Sequence, residues 1–99
     1  MLHLMEKMIG DVMEELDGAR EYAEKYIENR AIGNVSRANK YKEMASDELR
    51  HASYAHEFAA QDMEELKKVT EIPVKDLERW EKAHKSYAES MAWIKRMLD

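Results

Sequence analysis

The fold is decided by residues 41–66, YKEMASDELRHASYAHEFAAQDMEEL, in the middle of the chain. Apolar residues recur in this segment at spacings of three and four, which is the spacing of one face of an α-helix. The predicted buried face consists of Tyr41, Met44, Glu48, His51, Ala55, Phe58, Asp62 and Leu66. A carboxylate and an imidazole on a buried face need partners. Because both groups are common metal ligands, the pair Glu48 and His51 predicts a metal site.

Two breaks divide the chain into three predicted helices, at about residues 4–31, 35–69 and 74–98. Gly33 is typical of the position just after a helix, Asn34 is a good N-cap, and Pro73 suits a first helical turn. Because both connections are short, neighbouring helices should run antiparallel. The sequence predicts an all-α chain whose residues 1–99 form one helical domain.

The composition excludes several classes of protein. Net charge is −5, and Lys and Arg are interleaved with Glu, so no nucleic-acid surface is expected. The chain has no cysteine, which excludes disulfides and thiolate metal sites. No apolar run approaches the roughly 20 residues of a membrane span, and the apolar start at residues 1–5 is too short for a signal peptide. A cytoplasmic protein that binds neither nucleic acid nor membrane is therefore expected.

The predicted hairpin of the first two helices brings Glu15 to the pair of Glu48 and His51. Residues equidistant from a turn lie level in an antiparallel pair, since each helix rises about 1.5 Å per residue. Glu15 lies 18 positions before Gly33 and His51 lies 18 positions after it, with Glu48 one turn nearer the loop. One chain would then supply two carboxylates and one imidazole, fewer ligands than the roughly six of an octahedral metal ion.

Two such hairpins, related by a two-fold axis, would supply twice that set. This is the ligand set of di-iron carboxylate bundles, in which two helices each give a Glu and two others each give Glu-x-x-His. A 99-residue chain hides only roughly 60–65% of its unfolded surface, which also favours self-association. The sequence therefore predicts a homodimer, or a larger homo-oligomer, with a dinuclear iron or manganese site between chains.

The segments ELDGAREY (residues 15–22) and DELRHA (residues 47–52), separated by the turn at Gly33, resemble the first helical hairpin of the rubrerythrin and ferritin-like superfamily. Proteins of that superfamily carry a lone Glu, an Ala-Arg stretch with a Tyr beyond it, a glycine turn and then Glu-x-x-His-Ala. The resemblance covers about residues 12–58, a little over half the chain. It implies a ferritin-like four-helix bundle.

The same resemblance implies that Glu15, Glu48 and His51 are metal ligands, with Glu48 bridging two metals and Tyr22 nearby. It also implies ferroxidase or peroxide-reducing activity. Members of the superfamily normally have a second hairpin with its own ligands, whereas only one more helix follows here, and the chain has no rubredoxin-like cysteine module. Because one chain cannot complete the bundle, the resemblance implies a dimer, as in half-length ferritin-like proteins.

A second Glu-x-x-His pair, Glu81 and His84, lies in the third predicted helix. Counting across the second turn puts Glu81 level with Asp62 and His84 level with Ala59, roughly 12 Å along the bundle from His51. One interpretation is a second metal site made of Asp62, Glu81 and His84. A second is that the pair approaches a site across a dimer, and a third is a surface Glu beside a His at the edge of the core.

Three residues, His3, His56 and Trp93, fall outside the predicted buried faces, and an exposed Trp favours a protein partner. Two functions are compatible with the sequence, which leaves open whether the chain is an enzyme. The first is a metal-binding ferritin-like protein with iron or manganese shared between two chains. The second is a metal-free helical oligomeric interaction module, in which Glu48 and His51 are a hydrogen-bonded pair.

Overall fold

The structure is a computed structural model that describes the backbone of residues 2–99 and the side chains of residues 4–99. It contains three α-helices: α1 (Leu2–Ala31), α2 (Val35–Val69) and α3 (Val74–Met97). The all-α prediction is confirmed, and the helix bounds lie within two residues of the predicted ones. Nowhere in residues 2–99 is a helix both long enough and apolar enough to cross a membrane. The predicted exposure of His3 concerns a side chain outside the described part.

The two turns follow from local backbone chemistry. Gly33 has a φ of 81°, a left-handed conformation that strains any residue with a Cβ. The side-chain oxygen of Asn34 accepts a hydrogen bond of 3.2 Å from the backbone N–H of Arg37, which caps α2. Thr70 is extended at the end of α2, and Pro73 immediately precedes α3. Helices α1 and α2 therefore form a tight antiparallel hairpin, followed by α3.

Small side chains fill much of the interface between α1 and α2. The buried residues of α2 are Ala38, Ala45, Leu49, Ala52, Ala59 and Met63. The buried apolar residues of α1 are Met5, Met8, Val12, Leu16, Ala19, Ala23 and Tyr26. Alanine at the contact lets two helix axes approach closely, because the interaxial distance depends on the side chains between them. The core of the hairpin is thus lined mainly by alanine on α2 and by larger apolar residues, with Ala19 and Ala23, on α1.

The predicted buried face of α2 is wrong by one position. Met44, His51 and Phe58 are exposed and Glu48 is half-buried, whereas the buried residues stand one position later in the chain. One position is about 100° around a helix. The prediction favoured the larger side chains, but the contact with α1 is made by the alanines beside them. No polar or charged side chain among residues 4–99 is buried, so the expectation of Glu48 and His51 in a dry core is also wrong.

Helix α3 covers one side of the hairpin, mainly against α1, and buries Trp80 and Ile94 there. Trp93 is 55% exposed, as predicted. The molecule measures 55 × 19 × 17 Å, and its radius of gyration of 16.1 Å exceeds the roughly 13 Å of a compact chain of this length. Its accessible surface of 6751 Å² exceeds the about 5900 Å² typical of a monomer of this mass. The chain therefore leaves more surface uncovered than a compact monomer does.

Candidate metal centre

Glu15, Glu48 and His51 meet at one side of the hairpin, as the counting from the turn predicts. Each residue offers one donor atom, and these three atoms all lie within 4.8 Å of one another. Donor atoms bound to one ion are up to about 4 Å apart, because such ligand bonds are about 2.0–2.2 Å long. Side-chain movements of several tenths of an ångström would therefore bring all three groups onto one ion. Among residues 4–99, no other three His, Asp or Glu side chains form such a group.

The donor group lies on the side of the hairpin that α3 leaves open. Met13 of α1 lines the groove between α1 and α3. Glu15 stands two positions later, which is about 200° around the helix from Met13. On α2, Ser46 lines the groove toward α3, and Glu48 is again two positions away. Solvent reaches the group, since the side chain of His51 is 51% exposed and that of Glu15 is 35% exposed.

The two carboxylates of the group interact directly, and this raises the pKa of Glu48. The largest cause is a hydrogen bond with Glu15 that favours protonated Glu48, and partial burial and the charge of Glu15 act in the same direction. The charge of His51 acts against them. His51 Nδ1 lies 3.7 Å from Glu15 Oε2, which makes an ion pair when the imidazole is protonated. Since the carboxylates repel each other when both are ionised, a bound cation would stabilise this arrangement.

Gly18 of α1 lies directly under the Glu48 carboxylate. A Cβ atom added at Gly18 would be 3.5 Å from Glu48 Oε2 and 3.6 Å from Glu48 Cδ, which is ordinary contact. A glycine inside a helix costs roughly 0.5–1 kcal/mol relative to alanine. The glycine is therefore unfavourable for α1 itself, and the space above it is available to the Glu48 side chain.

Tyr22, which the family resemblance places near the metals, lies two helical turns from Glu15, about 10 Å along α1. Its ring stacks on that of Tyr41 in α2, with centroids 6.3 Å apart and planes 27° apart. Both rings are half-buried against the core. The stacked pair lies nearer the loop than the donor group and contributes no atom to it.

The second predicted metal group is not brought together within the chain. Asp62 is exposed and lines a groove with Leu4 at the open end of the hairpin. Glu81 is exposed, and His84 is paired with His56 instead. The prediction for Asp62 depended on the face of α2 that the structure shows to be turned away from the core. Within residues 4–99, Asp62, Glu81 and His84 therefore remain apart.

The expectation of a solvated His56 is wrong. Its ring is half-buried and stacks on Tyr87, with centroids 4.0 Å apart and planes 5° apart. Its Nε2 atom lies 2.7 Å from Nδ1 of His84. The sequence does carry a signal for this placement, because His56 stands four positions after Ala52 and three before Ala59, on the face that the structure buries.

Comparison with protein-family models, with curated proteins and with solved structures finds no significant match to this chain. The resemblance of residues 12–58 to a ferritin-like hairpin therefore stays a prediction. A functional proposal for this chain rests on the positions of Glu15, Glu48 and His51 and on the chemistry of their donor atoms.

Proposed function

We propose that two copies of this chain bind a dinuclear iron or manganese centre through Glu15, Glu48 and His51 of each copy. The convergence of these three donor groups within 4.8 Å supports the proposal more than any other observation. Carboxylate and imidazole ligands suit Fe²⁺ and Mn²⁺. A second copy doubles the ligand set, and carboxylates that bridge two ions then complete both coordination shells.

The open side of the hairpin carries the side chains that a second copy would cover. Met44, His51 and Phe58 recur at intervals of seven residues, which is the spacing that packs one helix along another. Met44 is 40% exposed, Phe58 is 60% exposed, and Leu4 of α1 is 42% exposed. Burial of such apolar area contributes roughly 25 cal/mol per Å². Because α3 lies against the opposite side, a four-helix contact between two hairpins leaves α3 in place.

A dinuclear iron centre, when bound, supplies electron transfer to oxygen or peroxide, and ferroxidase-type or peroxide-reducing activity is the reaction class we propose. The chain itself binds the ions, orients them and exchanges protons. Metal binding requires ionised carboxylates, so an entering ion competes with a proton at Glu48, whose pKa is raised. His51, at the exposed rim of the group, is the ligand most accessible to an entering ion.

The competing proposal is a metal-free helical module that joins two chains. Two observations favour it: Nδ1 of His51 lies 3.7 Å from Oε2 of Glu15, and the raised pKa of Glu48 indicates that a proton on Glu48 is favoured by Glu15. Together they satisfy the three groups without a cation. In that case the same face forms the interface, and the protein has no catalytic activity.

Anaerobic titration with Fe²⁺ separates the two proposals. The metal-centre proposal expects saturation near one ion per chain, or about two per dimer. Glu48→Ala should abolish most of this binding. Glu57→Ala, which removes an exposed carboxylate of α2 outside the group, should leave it unchanged. Equal Fe²⁺ binding by Glu48→Ala and Glu57→Ala would rule out the assigned ligands, and absence of stoichiometric binding by the wild type would favour the metal-free module.

A further inference from the structure

A second pair of metal-ligating side chains joins α2 to α3. His56 stands five positions after His51, about 140° further around α2, and therefore faces α3 and not the open side. Nε2 of His56 and Nδ1 of His84 are 2.7 Å apart. Neither residue belongs to the donor group of Glu15, Glu48 and His51.

The pair is held in position by aromatic stacking. The ring of His56 lies parallel to that of Tyr87 at 4.0 Å and close to that of Trp80 at 5.9 Å, with planes only 5° and 12° apart. These contacts fix the His56 ring, so little side-chain freedom is lost when a ligand binds. His84 is exposed and can turn to meet a shared ligand.

The surroundings of His56 favour its neutral imidazole, the form that binds metal. Burial lowers the pKa of His56, and the charge of His84 lowers it further. The α1 residues that face the pair are apolar: Ile9, Val12 and Met13. From α3, the titratable groups that contact His56 are His84 and the phenol of Tyr87. A metal ion would replace the proton that one of the two facing nitrogens donates to the other, and each imidazole would then carry its proton on its other ring nitrogen.

The distance between the nitrogens is close to that of a chelate. Two imidazole nitrogens bound to one ion at about 2.0–2.1 Å, with an angle of about 90–110°, are roughly 2.9–3.4 Å apart. The observed 2.7 Å needs to grow by only a few tenths of an ångström, which rotation of the exposed His84 side chain provides. Water molecules would complete the coordination.

We propose that His56 and His84 form a two-imidazole site that binds a divalent metal of the Cu²⁺ and Zn²⁺ class and so links α2 to α3. Imidazole suits these metals, and Cu²⁺ binds most tightly among the divalent first-row ions. The carboxylate-rich group of Glu15 and Glu48 suits iron and manganese instead. The proposal does not depend on that group, since the two sites share no residue.

Fluorescence of Trp80 provides the test, because bound Cu²⁺ quenches a nearby indole and Trp80 lies beside His56. The protein carries Trp93→Phe to remove the other indole, which is 55% exposed and about 20 Å away along α3. Titration with CuCl₂ at neutral pH should give saturable quenching that ends near one Cu²⁺ per chain for this site. His84→Ala should raise the midpoint of this titration, the Cu²⁺ concentration at half-maximal quenching, at least tenfold.

Lys85→Ala is the matched control, because it removes an exposed side chain beside His84 that belongs to neither donor group and should leave the Trp80 midpoint unchanged. His84→Gln serves as a second variant that retains a polar side chain. A midpoint in both His84 variants equal to that of the parent would overturn the proposal, as would the absence of saturable quenching in the parent. Neither result bears on Fe²⁺ binding at Glu48.

Discussion

Replacement of Gly18 by alanine tests whether the space under Glu48 serves the metal centre. In the metal-free protein, Gly18→Ala should be stabilising, because the new methyl group sits in ordinary contact, 3.5 Å from Glu48 Oε2, and alanine is favoured over glycine in a helix by about 0.8–1.0 kcal/mol. Gly10 of the same helix has no atom within 4 Å of an added Cβ. Gly10→Ala should therefore raise stability by the same amount, and both melting temperatures should rise by about 3–8 °C.

Metal binding should separate the two variants. A methyl group at position 18 would lie against the Glu48 side chain and restrict its movement toward an ion, whereas a methyl group at position 10 would touch nothing. Changes in the residues that orient a metal ligand typically weaken metal binding 10–100-fold, and we expect at least about tenfold for Gly18→Ala. Circular dichroism melts and anaerobic Fe²⁺ titrations of both variants measure the two effects. Equal Fe²⁺ affinities of the two variants would refute a role for Gly18 in the site. Destabilisation by Gly18→Ala but not by Gly10→Ala would show that the Glu48 side chain cannot move away from the added methyl group.

Further predictions concern charge, pH and assembly. Glu48→Gln should raise the unfolding free energy of the metal-free protein at neutral pH, because the raised pKa of Glu48 shows that its ionised form is disfavoured; a lower melting temperature than wild type would contradict this. Stability should fall as pH decreases through the range below 6.5, because the lowered pKa of His56 lets the unfolded chain bind a proton more readily than the folded one. Urea titrations at neutral and acidic pH should show a smaller fall for His56→Phe. Phe58→Lys should shift the proposed dimer to monomer in sedimentation velocity. Val74→Lys changes an exposed apolar residue of α3 and should have no such effect. Identical sedimentation of the two variants would exclude the proposed interface.

The features that local chemistry determines were predictable from the sequence. Gly33, Asn34 and Pro73 mark the helix ends because each acts on its own backbone. The meeting of Glu15 and His51 follows from counting residues on both sides of one tight turn. These predictions need no knowledge of how closely the helices pack.

The rotation of α2 was not predictable in the same way. Two parallel series of apolar residues run along this helix, one rich in alanine and one with Met44 and Phe58. Which series faces α1 depends on the interaxial distance, and that distance is a property of both helices together. His84 is predicted to lie level with Ala59 but pairs with His56. The cause is similar, since the length of the second turn determines the position of α3 along the bundle only to within about one helical turn.

The error in rotation also changes the physical reason for expecting a metal. In the single chain, Glu15, Glu48 and His51 are in contact with solvent, and solvated carboxylates need no cation. A second hairpin packed over this face would remove that solvent, and ionised carboxylates would then require either protons or metal ions. In the proposed centre, metal binding and dimerisation would thus be thermodynamically coupled, and each would favour the other by the same factor. The proposed dinuclear centre therefore requires the dimer, because one chain brings together only three of the ligand groups that two ions need.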